Sequence, residues 1–296
     1  MTWLIIGGNG QLGNALSVVL DERGIDFRSW GSDDLDIRSG LLCSQYIGAL
    51  SPSVIVNAAG WTDVDGAETD VDGAHAVNAD GALNLALAAR AIGAVFAHVS
   101  TDYVFSGTGS SPWREDDLRA PVSVYGKTKA AGEIAVLSHY RDGSYIFRTA
   151  WLYSQWGRNF AKTMTRLALN GGGEVRVVED QIGQPTSAID LANQIVDSVM
   201  ANLSFGIYHA TNSGQASWYE FAQEIFALTT NSVSRVVATD ASAFARPAKR
   251  PAYSVLGHDA WKTTGSSEAC VPEMRDWRVA LRDAMPAIIS AVKAEG

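Results

Sequence analysis

Cysteine and proline are scarce in this chain of 296 residues, which has two of the first and eight of the second. Cys43 and Cys270 lie far apart with no CxxC pair and no histidine-rich neighbour. Neither a disulfide framework nor a zinc site is expected, and both read as reduced thiols. Long apolar runs are missing too: Trp3-Leu4-Ile5-Ile6 is followed at once by glycines. That run is too short for the core of a signal peptide or for a membrane span, so a cytoplasmic address and no membrane partner are expected. Positive charge is in deficit, with 32 acidic against 23 basic residues and a formal charge of −9. A broad footprint for nucleic acid or anionic lipid is therefore not expected, and an anionic ligand must meet locally placed cations. The five histidines, His75, His98, His139, His209 and His258, show no HxxH or HExxH spacing, and no metal is expected.

What is present is the balance of an ordinary globular protein: 47% hydrophobic and 19% charged residues. Up to about residue 150, short β-branched runs alternate with longer Ala- and Leu-rich segments, the pattern of βαβ units on a parallel sheet. Strands are expected at Trp3 to Ile6, Ser53 to Asn57, Val95 to Ser100 and Tyr145 to Thr149, with a weaker one at Asp26 to Trp30. Helices over Gln11 to Arg23, Leu41 to Leu50, Val77 to Ile92 and Ser123 to Ser138 should cross over between them. The fold class is thus α/β, a doubly wound, Rossmann-like parallel sheet, with a dinucleotide-binding domain over 1–150. A smaller C-terminal α/β substrate lobe is expected over 151–296. Its elements are Asn159 to Leu169, Glu174 to Val178, Ile189 to Met200 and Trp218 to Leu228. The boundary is soft, and some segments of the lobe are expected to return to the main sheet.

The first strand runs into Gly7-Gly8-Asn9-Gly10-Gln11-Leu12-Gly13. Gly7, Gly10 and Gly13 fit GxxGxxG, whose glycines allow a tight turn, let backbone amides approach a pyrophosphate and let the helix pack close to the strand. At the end of the second strand stand Arg28 and Ser29, and no carboxylate. A cation there suits a 2′-phosphate, which favours NADPH. Asp33, about 20 residues beyond Gly13, keeps NADH possible.

Ser100-Thr101-Asp102-Tyr103 ends one strand, and Tyr125-Gly126-Lys127-Thr128-Lys129 opens a helix. Tyr125 and Lys129 at i, i+4 share a helix face. A neighbouring ammonium and an oxidised nicotinamide favour the tyrosinate, which suits Tyr125 to proton exchange with a carbonyl oxygen. Thr101, at the C-terminal end of a strand where α/β ligands sit, can hydrogen-bond the reacting oxygen. Trp151 follows another strand and offers an aromatic platform. Arg246, Lys249 and Arg250 can neutralise a diphosphate.

These residues resemble the extended short-chain dehydrogenase/reductases, and within them the branch that reduces dTDP-4-dehydrorhamnose. The likeness lies in Gly7 to Gly13, Asn57-Ala58-Ala59, Asp63 to Glu68, Val77-Asn78-Ala79, Ser100 to Phe105 and Val124 to Lys129. It continues in Arg148 to Tyr153, Asn159-Phe160, Asp180 to Thr186 and Arg246 to Leu256. The resemblance implies reduction of the C4 ketone of a dTDP sugar by NADPH, or NADH, in cell-envelope polysaccharide synthesis. It also implies that Tyr125 donates the proton, that Lys129 holds the nicotinamide ribose and that Thr101 polarises the ketone. Gly10, Gln11 and Leu12 would line the pyrophosphate, Asp36 and Ile37 the adenine, and Gly60, Trp61 and Thr62 the inner cofactor wall. Ala58, Ala59 and Asn78 would stand beside the cofactor, and Thr101, Asp102, Trp151 and Asn159 would meet the substrate. Ala15 stands where some relatives carry a glutamate of a magnesium-bridged dimer, so no metal and a monomer or weak homodimer are expected. The alternatives are another nucleotide-sugar reductase or epimerase, or a non-catalytic NADP-binding regulatory subunit.

Overall fold

The computed structural model describes residues 1–263 and 271–295. Six parallel strands make the main sheet: β1 (Trp3–Ile6), β2 (Phe27–Trp30), β3 (Val54–Asn57), β4 (Val95–Thr101), β5 (Ser144–Thr149) and β6 (Gly206–His209). Their spatial order is β6-β5-β4-β3-β1-β2. The chain leaves β1 toward β2 on one side and then returns to β3 on the other. Ligands of doubly wound sheets lie beyond the strand C-termini at such a reversal.

Side-chain alternation along the strands divides the core into two layers. Trp3, Ile5, Val54, Val56 and Phe147 face one layer, against the helices Gln11–Glu22 and Ala188–Met200. Leu4, Ile6, Ile55, Phe96 and Ile146 face the other, against the helices Gly40–Leu50, Gly81–Ile92 and Val124–Tyr140. Burial on both faces is why these strands read as continuous apolar runs instead of alternating ones. Cys43 lies in the second layer as a free buried thiol, pushed up to about 11 mainly by burial. Cys270 lies outside the described residues.

A third cluster makes the lobe, from the helices Phe160–Leu169, Trp218–Thr230 and Trp277–Glu295. The lobe is not a contiguous stretch of sequence: helix Ala188–Met200 and strand β6 lie beyond residue 150 but belong to the main sheet's layers. Helix Trp277–Glu295 has no counterpart among the sequence expectations. Pro286 lies inside it, and proline ordinarily ends a helical pattern. The segment expected as one helix over Val77 to Ile92 is composite. A π-type turn at Ala76–Asp80 precedes the helix Gly81–Ile92.

Candidate active site

The C-terminal ends of β1, β3, β4 and β5 open into a cleft of about 950 Å³. At one end stands the glycine loop. Gly7 has φ +85°, and a Cβ there would lie 2.6 Å from the Ala59 amide nitrogen. A Cβ on Gly13 would overlap the Gly7 carbonyl oxygen. Both positions are closed to any side chain, Gly7 by the backbone that follows β3 and Gly13 by the loop itself. Gly10 is different: it caps the helix Gln11–Glu22, and its missing Cβ would meet only the Gly7 oxygen, at 3.2 Å. A side chain at Gly10 would fill the cradle before the helix N-terminus, where unpaired N–H groups and the helix dipole favour an anion. The residues present therefore fit a dinucleotide pyrophosphate.

The walls agree with most of the expected cofactor residues. Gly7, Gly10, Gln11, Leu12, Asp36, Ile37, Ala58, Ala59, Gly60, Trp61 and Thr62 all line the cleft. Gly13 does not, because its part is to bring helix and strand together. Asn78 does not line it either and is a brace. Its Oδ1 accepts from the Trp61 amide at 2.8 Å, and its Nδ2 donates to the Thr128 hydroxyl at 3.0 Å, tying the inner wall to the helix Val124–Tyr140.

Arg28 and Ser29 stand apart from the cleft. Arg28 turns away to Asp26 and the Phe27 carbonyl, the latter at 2.9 Å, and neither Arg28 nor Ser29 lines the cleft. Ser29 packs under the glycine loop beside Gly8. The cation at this end is Arg38, which sequence reasoning missed. It lines the cleft with Asn9 and Ser32 and donates to both Asp36 oxygens at 2.8 Å. The signal was an arginine two residues beyond the expected adenine-side aspartate, past the strand end where a cation was sought.

At the other end, Thr101, Asp102, Tyr125, Lys129 and Trp151 line the same cleft. Ser123 caps the helix Val124–Tyr140, and its first turn presents Tyr125 edge-on to Tyr103, with centroids 5.5 Å apart. One turn later Lys129 is buried and donates to the Val99 carbonyl at 2.6 Å. Burial lowers Lys129 to about 8, while Glu133, a further turn along, acts in the opposite sense. Tyr125 is pushed up to about 12 by burial, against a hydrogen bond with Thr101 that lowers it. The Lys129 ammonium is not among the groups that shift it, the Asp102 charge adds to the rise, and Tyr125 is held as a neutral phenol.

Glu133 was not foreseen, although its position at i+4 from Lys129 puts it on the same helix face. It is fully buried and accepts from Ser100 at 2.6 Å, Arg119 at 2.6 Å, and Arg148 at 2.8 and 2.7 Å. Burial alone would raise it, but these donors bring it down to about 2. The carboxylate fastens β4 and β5 to the helix Val124–Tyr140.

Trp151 adopts a left-handed backbone, φ +46°, and stacks on Trp218 with centroids 3.6 Å apart. Asn159 lines the cleft but is already committed. Its Nδ2 donates to Gln11 Oε1 at 2.9 Å and to the Ser154 carbonyl at 2.8 Å, and its Oδ1 caps the Lys162 amide. It closes the 154–159 loop over the helix N-terminus. Arg246 and Arg250 lie outside the cleft lining. Both meet the Asp65 carboxylate, at 3.6 and 2.8 Å, and Asp65 also accepts from the Ala248 amide.

Comparison with known proteins accords with this geometry. A family model described as the RmlD substrate binding domain matches residues 1–289. A dTDP-4-dehydrorhamnose reductase of Streptomyces griseus is 45% identical over 97% of this chain and 93% of its own length. A probable dTDP-4,6-dihydroxy-2-methyloxan-3-one 4-ketoreductase of Streptomyces antibioticus is 44% identical over 98% of this chain and 97% of its own. Among solved structures, the dTDP-4-dehydrorhamnose reductase of Bacillus anthracis in complex with NADP superposes with a TM-score of 0.91. It is 36% identical, over 96% of this chain and 98% of that one.

Proposed function

This chain belongs to the RmlD substrate-binding domain family, and from that premise we propose that it is an NADPH-dependent reductase of a dTDP-linked 4-dehydro-6-deoxysugar. The first substrate to consider is dTDP-4-dehydro-L-rhamnose, reduced at C4 to dTDP-L-rhamnose for cell-envelope polysaccharide, in the cytoplasm where nucleotide sugars are made. The convergence of Thr101, Tyr125 and Lys129 at one end of a cleft whose other end is a glycine-built helix N-terminus carries this reading. Reduced nicotinamide, when bound, supplies the hydride.

The chain's own residues do the rest. Thr101 orients the ketone oxygen, and Tyr125, neutral in its buried setting, donates the proton. Lys129, held by the Val99 carbonyl and facing the field of Glu133, keeps a positive charge beside them. Arg38 is the residue that suits a 2′-phosphate, exchanging Asp36 for a doubly charged partner. Arg246 and Arg250 suit the diphosphate of the sugar nucleotide, and Asp65 is the carboxylate that this diphosphate would displace.

A second reading, another 4-keto sugar of the same class, is favoured by the similar identity to the Streptomyces antibioticus ketoreductase. The test is to mix the purified protein with enzymatically generated dTDP-4-dehydro-L-rhamnose or dTDP-4-keto-6-deoxyglucose and to follow NADPH and NADH oxidation in parallel. Rapid oxidation with the first supports the leading reading, and oxidation with the second alone moves the assignment to the sibling substrate. Tight NADPH binding without oxidation by either would favour a regulatory, non-catalytic protein.

A further inference from the structure

Asp102 has more chemistry around it than contact with a sugar requires. It is 2% exposed at the C-terminal end of β4 and lines the cleft. Its Oδ1 accepts the Thr101 hydroxyl at 2.9 Å, and Thr101 is in turn the hydrogen-bonding neighbour of the Tyr125 hydroxyl. Phenol, hydroxyl and carboxyl therefore stand in one row. The second carboxyl oxygen, Oδ2, is buried without a well-formed hydrogen bond, although the Ser254 hydroxyl faces the carboxyl.

A buried carboxylate with an unfilled acceptor position is costly as an anion and comfortable as a neutral acid. The groups around it do not reverse that balance. Tyr103 and Tyr125 are both raised in part by the Asp102 charge, so both stay neutral phenols and bring no charge of their own to it. The nearby cations are committed elsewhere, Lys129 to the Val99 carbonyl and Arg250 to Asp65. Burial accordingly pushes Asp102 up to about 6.

We propose that Asp102 is the acid that reloads Tyr125 with a proton, through Thr101 Oγ1, after each ketone reduction. The proposal rests on the reductase reading above and adds a step to it. Tyr125 gives its phenolic proton to the oxygen at sugar C4 and is left as a phenolate. Thr101 turns its hydroxyl, gives that proton to the phenolate oxygen, and takes a proton from the Asp102 carboxyl. The sum is one proton gained by the sugar and one lost by Asp102, with no bond between heavy atoms made or broken. Water entering the cleft as product leaves restores the acid. The direction follows from ordinary acidities, since a phenolate is a far stronger base than a carboxylate.

Two measurements test it, and the first needs no turnover. Infrared difference spectra of wild type against Asp102→Asn should show a neutral-carboxyl C=O band that fades as pH rises through about 6. Absence of that band at pH 5 overturns the proposal whatever the substrate. The second is pre-steady-state NADPH oxidation with the 4-keto sugar in excess. Asp102→Asn should give a burst of one turnover per site and then a steady rate at least tenfold below the burst, partly restored by added imidazolium. Wild type should show no burst. Equal loss of the first turnover and the steady rate, with a raised KM and no rescue, would mean that Asp102 only positions the sugar. No oxidation by wild type with any 4-keto sugar would instead remove the reductase reading, and the infrared band would still decide whether Asp102 holds a proton.

Discussion

The two ends of the cleft are shaped by different means. At the cofactor end the contour is backbone: Gly7 turned left-handed, Gly13 closed against the Gly7 carbonyl, and Gly10 open before a helix N-terminus. At the other end the contour is side chains, Thr101, Asp102, Tyr125, Lys129 and Trp151, the last stacked on Trp218, with Asp65, Arg246 and Arg250 paired outside the lining. A backbone-made site has little spare volume, so a side chain added there weakens binding directly. A site made of paired side chains can be tuned, and its substitutions should move affinity by small factors. The Tyr125 and Lys129 helix belongs to this second end and is fastened by Glu133.

The largest effect should come from the residue that both ends serve. Tyr125→Phe is expected to lower kcat by about 10²- to 10⁴-fold, the scale of general acid catalysis, with NADPH affinity preserved in a fluorescence titration. Near-normal turnover would remove Tyr125 as proton donor. Glu133→Ala leaves Arg148, 1% exposed, without its carboxylate. Loss of one partner of a buried pair costs about 3–5 kcal/mol, readable as a lowered urea midpoint. The same group sets an acid limit. Glu133 sits at about 2 in the folded protein against an ordinary 4.5, so between those values the unfolded chain binds more protons. Its stabilisation is whole above about pH 4.5 and drains away as pH falls toward 2. A Glu133→Gln variant should show a flatter stability profile over that range, and an unchanged slope would deny the brace its charge.

Gly10→Val should weaken NADPH binding by more than about tenfold, or 1.4 kcal/mol, while circular dichroism stays native. Arg38→Ala should reduce the preference for NADPH over NADH by roughly 10- to 100-fold, given about 1.5–3 kcal/mol for a hydrogen bond to a charged group. Arg28→Ala should leave it unchanged, and the opposite pattern would restore the strand-end arginine. The smallest effect is at the tunable end. Asp65→Asn should lower KM for the sugar nucleotide by about two- to fivefold, since ion pairs still reached by solvent contribute about 0.2–1 kcal/mol, and a raised KM would make Asp65 a positioning group for Arg250.

The same contrast explains what was legible in the sequence. The parallel strands and the GxxGxxG turn declare themselves locally, because burial on both faces and the need for missing side chains leave signatures in consecutive residues. Thr101, Tyr125 and Lys129 could be expected at one cleft for the same reason: strand-end position and i, i+4 spacing are local. Neither composition nor spacing tells which way an exposed arginine turns, and Arg28 meets Asp26 two residues away instead of lining the cleft. Asn78 and Asn159 were read as ligand contacts where their amides are spent on Trp61, Thr128, Gln11 and Ser154. The pairing of Asp65 with Arg250, 185 residues apart, has no local trace at all. Strand β6 joining the main sheet beside β5 is equally a long-range fact.

The most direct measurement is to supply NADPH carrying deuterium at the transferable nicotinamide C4 position together with dTDP-4-dehydro-L-rhamnose, and to read the product by proton NMR. The account predicts dTDP-L-rhamnose with deuterium at sugar C4 and one NADPH consumed for each product formed. NADPH oxidation without label at C4, or NADPH bound tightly with the ketone left intact, would contradict it.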